Sequence, residues 1–207
     1  MIHLLRAIKT RSSIRSNSLL NTGNFKNYFN EKSVGIFKWQ LSTRFIQTST
    51  ETDKRLETIS KIDSTKIAEI LWRNAKNKVI DKDSFSLYLQ ELYRRDLESI
   101  KPKDTSLILH SMAKSRIIDA DLILKLFLTL EATGLDKFKA QDISMILWSC
   151  GKMNFNNEKM YNLCSLEIKK RGLDMFNTLE ISMILWAFEK NKIKDEELFT
   201  LFSNKKS

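Results

Sequence analysis

Side chains that build reaction centres are scarce in this chain, which holds two histidines, two cysteines and five glycines among 207 residues. Beyond residue 50 one imidazole remains, His110, so neither a nucleophile–histidine–acid triad nor a zinc cluster can be assembled there. Cys150 and Cys164 stand in no paired-thiolate or metal-ligand spacing. Each falls inside a helical pattern, where cysteine acts as a small core residue. Gly23, Gly35, Gly134, Gly151 and Gly172 are too scattered for a phosphate-cradling loop. No run of about 18 apolar residues exists, so no membrane span is expected. The acids are plentiful but fall at helix starts and on solvent faces. The sequence therefore predicts a non-enzyme without metal or cofactor.

Negative charge is missing from one region above all. Residues 1 to 50 carry eight basic side chains (Arg6, Lys9, Arg11, Arg15, Lys26, Lys32, Lys38, Arg44) against one acid, Glu31. That leaves 27 of the 35 basic and 24 of the 25 acidic residues, a net of +3, to the remainder. The N-terminal segment is rich in Ser, Thr and Asn and mixes Leu, Ile and Phe with spaced Arg and Lys, the composition of a mitochondrial transit peptide. It lacks the continuous apolar stretch of a secretory signal. Arg44-Phe45-Ile46-Gln47-Thr48-Ser49 resembles a presequence-processing pattern, which puts the targeting segment at 1–53 and the mature start near Lys54. A plastid address, or a basic arm that itself binds RNA, fits the same composition.

What the rest of the chain has is repetition. Ile70-Leu71-Trp72 followed by Lys76 recurs as Ile108-Leu109-His110 with Lys114, Ile146-Leu147-Trp148 with Lys152, and Ile184-Leu185-Trp186 with Lys190, always 38 residues apart. Small residues precede the phrase at Ala68, Ser106, Ser144 and Ser182, and acids stand at Asp104, Asp142 and Glu180. Leu97, Leu135 and Leu173 share a further position. A fixed lag of this kind is the signature of a repeat array.

Within the first unit, Ile67, Ile70, Leu71 and Asn74 share one helical face, and Ala68, Trp72, Ala75 and Val79 the adjacent one. So wide an apolar arc implies burial on two sides and leaves a single polar strip, Glu69, Arg73 and Lys76. Its equivalents are Leu107, Ser111 and Lys114, then Met145, Ser149 and Lys152, then Met183, Ala187 and Lys190. Asp81, Asp119, Asn157 and Asp195 suit the start of a second helix, and Gly134 and Gly172 its C-terminal cap. The fold class expected is all-α, an α-solenoid of 38-residue hairpins over 66–207, with units 66–104, 105–142, 143–180 and a partial 181–207. Residues 54–65 form a linker or leading helix. The partial unit offers Leu198, Phe199, Leu201 and Phe202 with little chain to cover them, so a protein partner is expected at that end, with self-association or a longer parent chain as the alternatives.

Tandem 38-residue hairpins that begin with a phrase such as Ile-Ser-Met-Ile-Leu-Trp, close the first helix with Lys and follow a presequence resemble octotricopeptide-type repeats. They are equally similar to the helical repeats of FAST-kinase-like and RAP-domain proteins, without the RAP domain itself. The resemblance implies binding of organellar RNA in its stability, processing, translation or ribosome assembly. Stacked first helices would then align Lys76, Lys114, Lys152 and Lys190 along a phosphate backbone, with Arg73, Ser111 and Ser149 beside them and the short polar side chains at base edges. Arg94, Arg95, Lys169, Lys170 and Arg171 would flank the track. A lysine near a helix C-terminus also complements the macrodipole without any ligand. Trp72, Trp148 and Trp186 lie on the buried arc and read as core, and His110 as a packed or partly exposed aromatic in the same place. Single-stranded or ribosomal RNA in the mitochondrial matrix is the partner expected, either for a factor in RNA metabolism or for a structural subunit of the mitochondrial ribosome. A protein scaffold that never touches RNA is the third reading.

Overall fold

The computed structural model describes residues 50–204, and the basic segment expected as a targeting sequence lies outside the described residues except for its last four. Those four open α1, Thr50–Ser60, which begins ahead of the mature start expected near Lys54. Eight more helices follow among the described residues: α2 (Ser64–Asn77), α3 (Lys82–Arg94), α4 (Pro102–Ser115), α5 (Ala120–Thr133), α6 (Ala140–Met153), α7 (Glu158–Arg171), α8 (Thr178–Lys190) and α9 (Glu196–Asn204). The even-numbered helices start every 38 residues, at Ser64, Pro102, Ala140 and Thr178. Those starts lie two or three residues ahead of the unit boundaries drawn from the sequence.

Two layers result. Helices α2, α4, α6 and α8 pack successively, while α1, α3, α5 and α7 make the second row. Helix α1 thus stands where a preceding unit's second helix would be, and α9 joins the same row through bonds from Ser165 and Lys169 to Asp195. The chain is an all-α solenoid.

Local signals explain the helix ends. Asp81, Asp119, Asn157 and Asp195 each accept a backbone N–H at the start of the helix that follows. Gly134 and Gly172 close α5 and α7 at φ +75° and +79°, where a β-carbon would strain the backbone. The repeated acids fasten neighbours: Thr65 donates to Asp104 at 2.6 Å, and Ser106 to Asp142 at 2.8 Å.

The seam between first helices is lined by small residues. Ala68, Ser106 and Ser144 are buried whereas Ser182 is exposed, and Ala75, Ala113 and Gly151 are buried whereas Glu189 is exposed. Positions uncovered only in the last unit face the next helix. The reverse holds for Arg73, exposed in the first unit, against buried Ser111, Ser149 and Ala187. A β-carbon on Gly151 would lie 3.1 Å from the Cα of Ala187 and 2.8 Å from Cζ3 of Trp186, so glycine permits this approach. Cys150 and Cys164 are free and buried, and burial pushes the Cys164 thiol up to about 12.

The last unit is better covered than its sequence implies. Leu198 and Phe202 are buried and Phe199 is half-buried, with its ring edge-on to Phe188 at 6.1 Å. Asn191 binds this unit to the previous one. Its side-chain amide donates to the carbonyl of Phe155 and to the Tyr161 hydroxyl, both at 2.8 Å, while that hydroxyl donates to the carbonyl of Ala187 at 3.1 Å. Among the described residues no helix is long and apolar enough to cross a membrane.

Candidate nucleic-acid interface

Each first helix ends in an exposed lysine: Lys76, Lys114, Lys152 and Lys190. Because helix starts repeat at one interval and the helices pack in order, the four amines follow one edge of the solenoid. None forms an ion pair among the described residues. Lys76 lies over the ring of its own helix's Trp72, with Nζ 4.7 Å from the centroid.

The two serines assigned to base edges do not serve there. Ser111 and Ser149 are fully buried and donate at 2.6 Å to the carbonyls of Leu107 and Met145 on their own helices. They sit in the small-residue seam, where a larger side chain would hold neighbouring helices apart. Arg73 is exposed because no first helix precedes α2 in the described row, so it begins no ladder of its own. Polar character at one register position hid a packing role.

The flanking cations also have other work. Arg95 donates to the carbonyls of Ile59, Ser60 and Ile62, to the hydroxyl of Ser64 and to Glu91. Arg171 does the same two repeats later, to the carbonyls of Leu135, Asp136 and Phe138 and to Glu167. Lys169 is held by Asp195 and Glu197, which raise its pKa. Lys170 reaches Glu167 at 3.7 Å, and only Arg94 of the five is exposed without an ion pair among the described residues.

A second basic row went unnoticed in the sequence. The turn after each first helix contains a left-handed residue at the same register: Lys78 (φ 58°), Arg116 (φ 59°), Asn154 (φ 52°) and Lys192 (φ 56°). Asn tolerates this conformation, but Lys and Arg are strained by roughly 1–2 kcal/mol. All three cations are exposed. The 38-residue lag that exposed the lysine ladder contained this signal too, masked by the residue change in the third unit.

Beside the lysines runs a row of rings. Trp72 and Trp148 are half-buried and Trp186 is 37% exposed, a correction to the expected place of the tryptophans in the core, while His110 is half-buried, within what was expected of it. His110 and Trp148 are 4.9 Å apart between centroids, and Trp148 and Trp186 6.2 Å, both pairs tilted by about thirty degrees. Ring and lysine are four residues apart on each helix, which places them on one face. Burial, reinforced by the charge of Lys114, lowers His110 to about 4, so the imidazole is neutral at physiological pH.

The edge thus combines unpaired ammonium groups, a second file of cations and partly open aromatic surface. That combination suits a flexible polyanion carrying planar groups. No family model matches this chain, and no curated protein is significantly similar to it.

Proposed function

We propose that this chain is a mitochondrial RNA-binding helical-repeat protein that acts in organellar RNA metabolism, and that the first-helix edge is its RNA surface. The observation that carries the reading is one exposed, unpaired lysine per repeat on the same edge, at Lys76, Lys114, Lys152 and Lys190. Evenly placed ammonium groups neutralise successive phosphates and release counterions, which gives affinity without sequence preference. Lys78, Arg116 and Lys192 add charge at a strained backbone position that glycine would occupy at lower cost, and strain retained at a surface points to a use beyond folding. The basic N-terminal segment supports delivery to the matrix, and the resemblance to octotricopeptide-type and FAST-kinase-like repeats points the same way.

The test is the full-length protein with Lys114→Glu and Lys152→Glu together, assayed by RNA crosslinking in mitochondria. The expected result is loss of crosslinking with helicity and melting temperature retained. Crosslinking at the wild-type level would refute the ladder. Affinity for a single strand should also fall steeply as salt rises, whereas a protein-only scaffold has no such slope.

A further inference from the structure

Trp186 differs from the other rings of the row. It is the most exposed, it has no further ring beyond it among the described residues, and its Cζ3 edge is bedded on Gly151 of α6. Behind it Trp148 lies at 6.2 Å, and His110 lies 4.9 Å from Trp148. Lys190, four residues on, is exposed on the same face. The ring is therefore held from behind and below, with more than a third of its surface open beside a cation.

We propose that Trp186 is a stacking seat for one nucleobase of a single-stranded RNA, whose phosphates continue past Lys190 to Lys152 and Lys114. The inference rests on the RNA reading above and adds to it the place where a base, as distinct from the backbone, is held. Each observation has its part. A π-face accepts any base, so the seat contributes affinity without demanding a sequence. A ring fixed by Gly151 and Trp148 has little side-chain freedom left to lose on binding. Stacked rings follow one another at about 3.4 Å, so a row with centroids 4.9 and 6.2 Å apart has no room for a base between its members, and a base seats only at the open end, splayed from its neighbours. Single-stranded segments present bases in that way.

The experiment measures binding of the full-length protein to a labelled oligouridine and to an abasic strand of equal length. Trp186→Leu keeps an apolar side chain but removes the π-face. Its affinity for oligouridine should drop by roughly tenfold to a hundredfold, the loss expected for one stacked base. Its affinity for the abasic strand should be unchanged. Trp186→Phe should restore most of the binding, because it restores a ring. Lys152→Glu should weaken both strands alike.

Equal losses on the two strands, or none on either, would overturn the seat and leave the lysine track standing. Wild-type protein that binds neither strand would overturn both proposals. Trp186→Leu unfolding no earlier than the wild type on heating shows that the loss arises at the seat, and Trp186→Phe answers the same question where Leu does lower the melting point.

Discussion

The two layers of this solenoid use their cations in opposite ways. In the second-helix layer Arg95, Arg171 and Lys169 are drawn inward, and each bridges one unit to the next through carbonyls or carboxylates. On the first-helix edge Lys76, Lys114, Lys152 and Lys190 face solvent with no carboxylate partner among the described residues. Side-chain type does not separate them, since lysine serves in both. Partners do: a guanidinium over the end of a loop meets several main-chain carbonyls, whereas the first-helix lysines meet no carboxylate among the described residues, and one of them, Lys76, lies over a ring. Charge counted along the sequence treats both sets as one basic surface. Charge counted with its hydrogen bonds separates the cations that fasten units from the lysines that repeat, exposed and without an ion pair among the described residues, once per first helix.

That contrast is broken most severely at Arg171. Arg171→Ala removes the side-chain donor from the carbonyls of Asp136 and Phe138 and leaves Glu167 with only Lys170 at 3.7 Å, in a site where the Arg171 and Glu167 side chains keep only 16% and 12% of their exposure. Removing one partner from such a buried pair costs about 3 kcal/mol. Lys152→Ala, on the opposite edge, should change stability by no more than about 0.5 kcal/mol. Urea unfolding of the two variants measures both values, and similar losses would erase the distinction between layers.

The next effect falls within three consecutive residues of the edge itself. Lys190 and Lys192 are exposed, but Asn191 between them is buried and bonded to Phe155 and Tyr161. Asn191→Ala should cost about 2 kcal/mol, because it removes two buried hydrogen bonds, one to the Phe155 carbonyl and one to the Tyr161 hydroxyl. Lys190→Ala and Lys192→Ala should unfold at nearly the wild-type urea concentration. Fastening would then be shown to follow from hydrogen bonds, and not from the layer a residue belongs to.

Titration gives a smaller effect. His110 has a folded pKa of about 4, against about 6.5 for an unperturbed histidine, because of burial and then the charge of Lys114. A depressed pKa means that the unfolded chain binds the proton more readily. The stability it contributes is complete above pH 6.5 and is lost as pH falls towards 4. Discounted for the exposure that remains, the loss is on the order of 1–2 kcal/mol. His110→Phe should remove this slope, so the difference in unfolding free energy between wild type and variant should change between pH 7 and 4.5. A constant difference would mean that the imidazole is as free to protonate in the fold as out of it.

The fold was legible because repetition is self-checking: helix starts, caps at Asp81, Asp119, Asn157 and Asp195, and terminal glycines all recurred at one lag and all hold their places in the structure. The candidate surface was legible only in part. A helical wheel separates polar from apolar residues, but it cannot separate a serine facing water from one in a close seam, so Ser111 and Ser149 were misplaced. The wheel also put the tryptophans in the core, since apolar character does not reveal that a ring at the border of two helices stays half open. Arg95 and Arg171 could not be assigned because their partners in the preceding unit are mostly main-chain carbonyls, which leave no trace in side-chain chemistry.

The least energetic comparison decides the most about the edge. Lys78 and Arg116 hold left-handed backbone at φ 58° and 59°, just past helix C-termini where a cation also complements the helix dipole. Two explanations for these residues predict opposite signs. Replacing either by glycine relieves strain of about 1 kcal/mol and returns a little less through the greater freedom of the unfolded chain. If the cations are there for a ligand, Lys78→Gly and Arg116→Gly should be neutral or more stable by up to about 0.5 kcal/mol, while the affinity for single-stranded RNA falls and its salt dependence becomes shallower by about one phosphate contact per substitution. If they are there for the helix, the same variants should melt earlier and bind unchanged. A thermal melt paired with a salt titration on each variant reads both quantities, and a loss of stability with no change in salt slope would place this row with the fasteners of the second-helix layer.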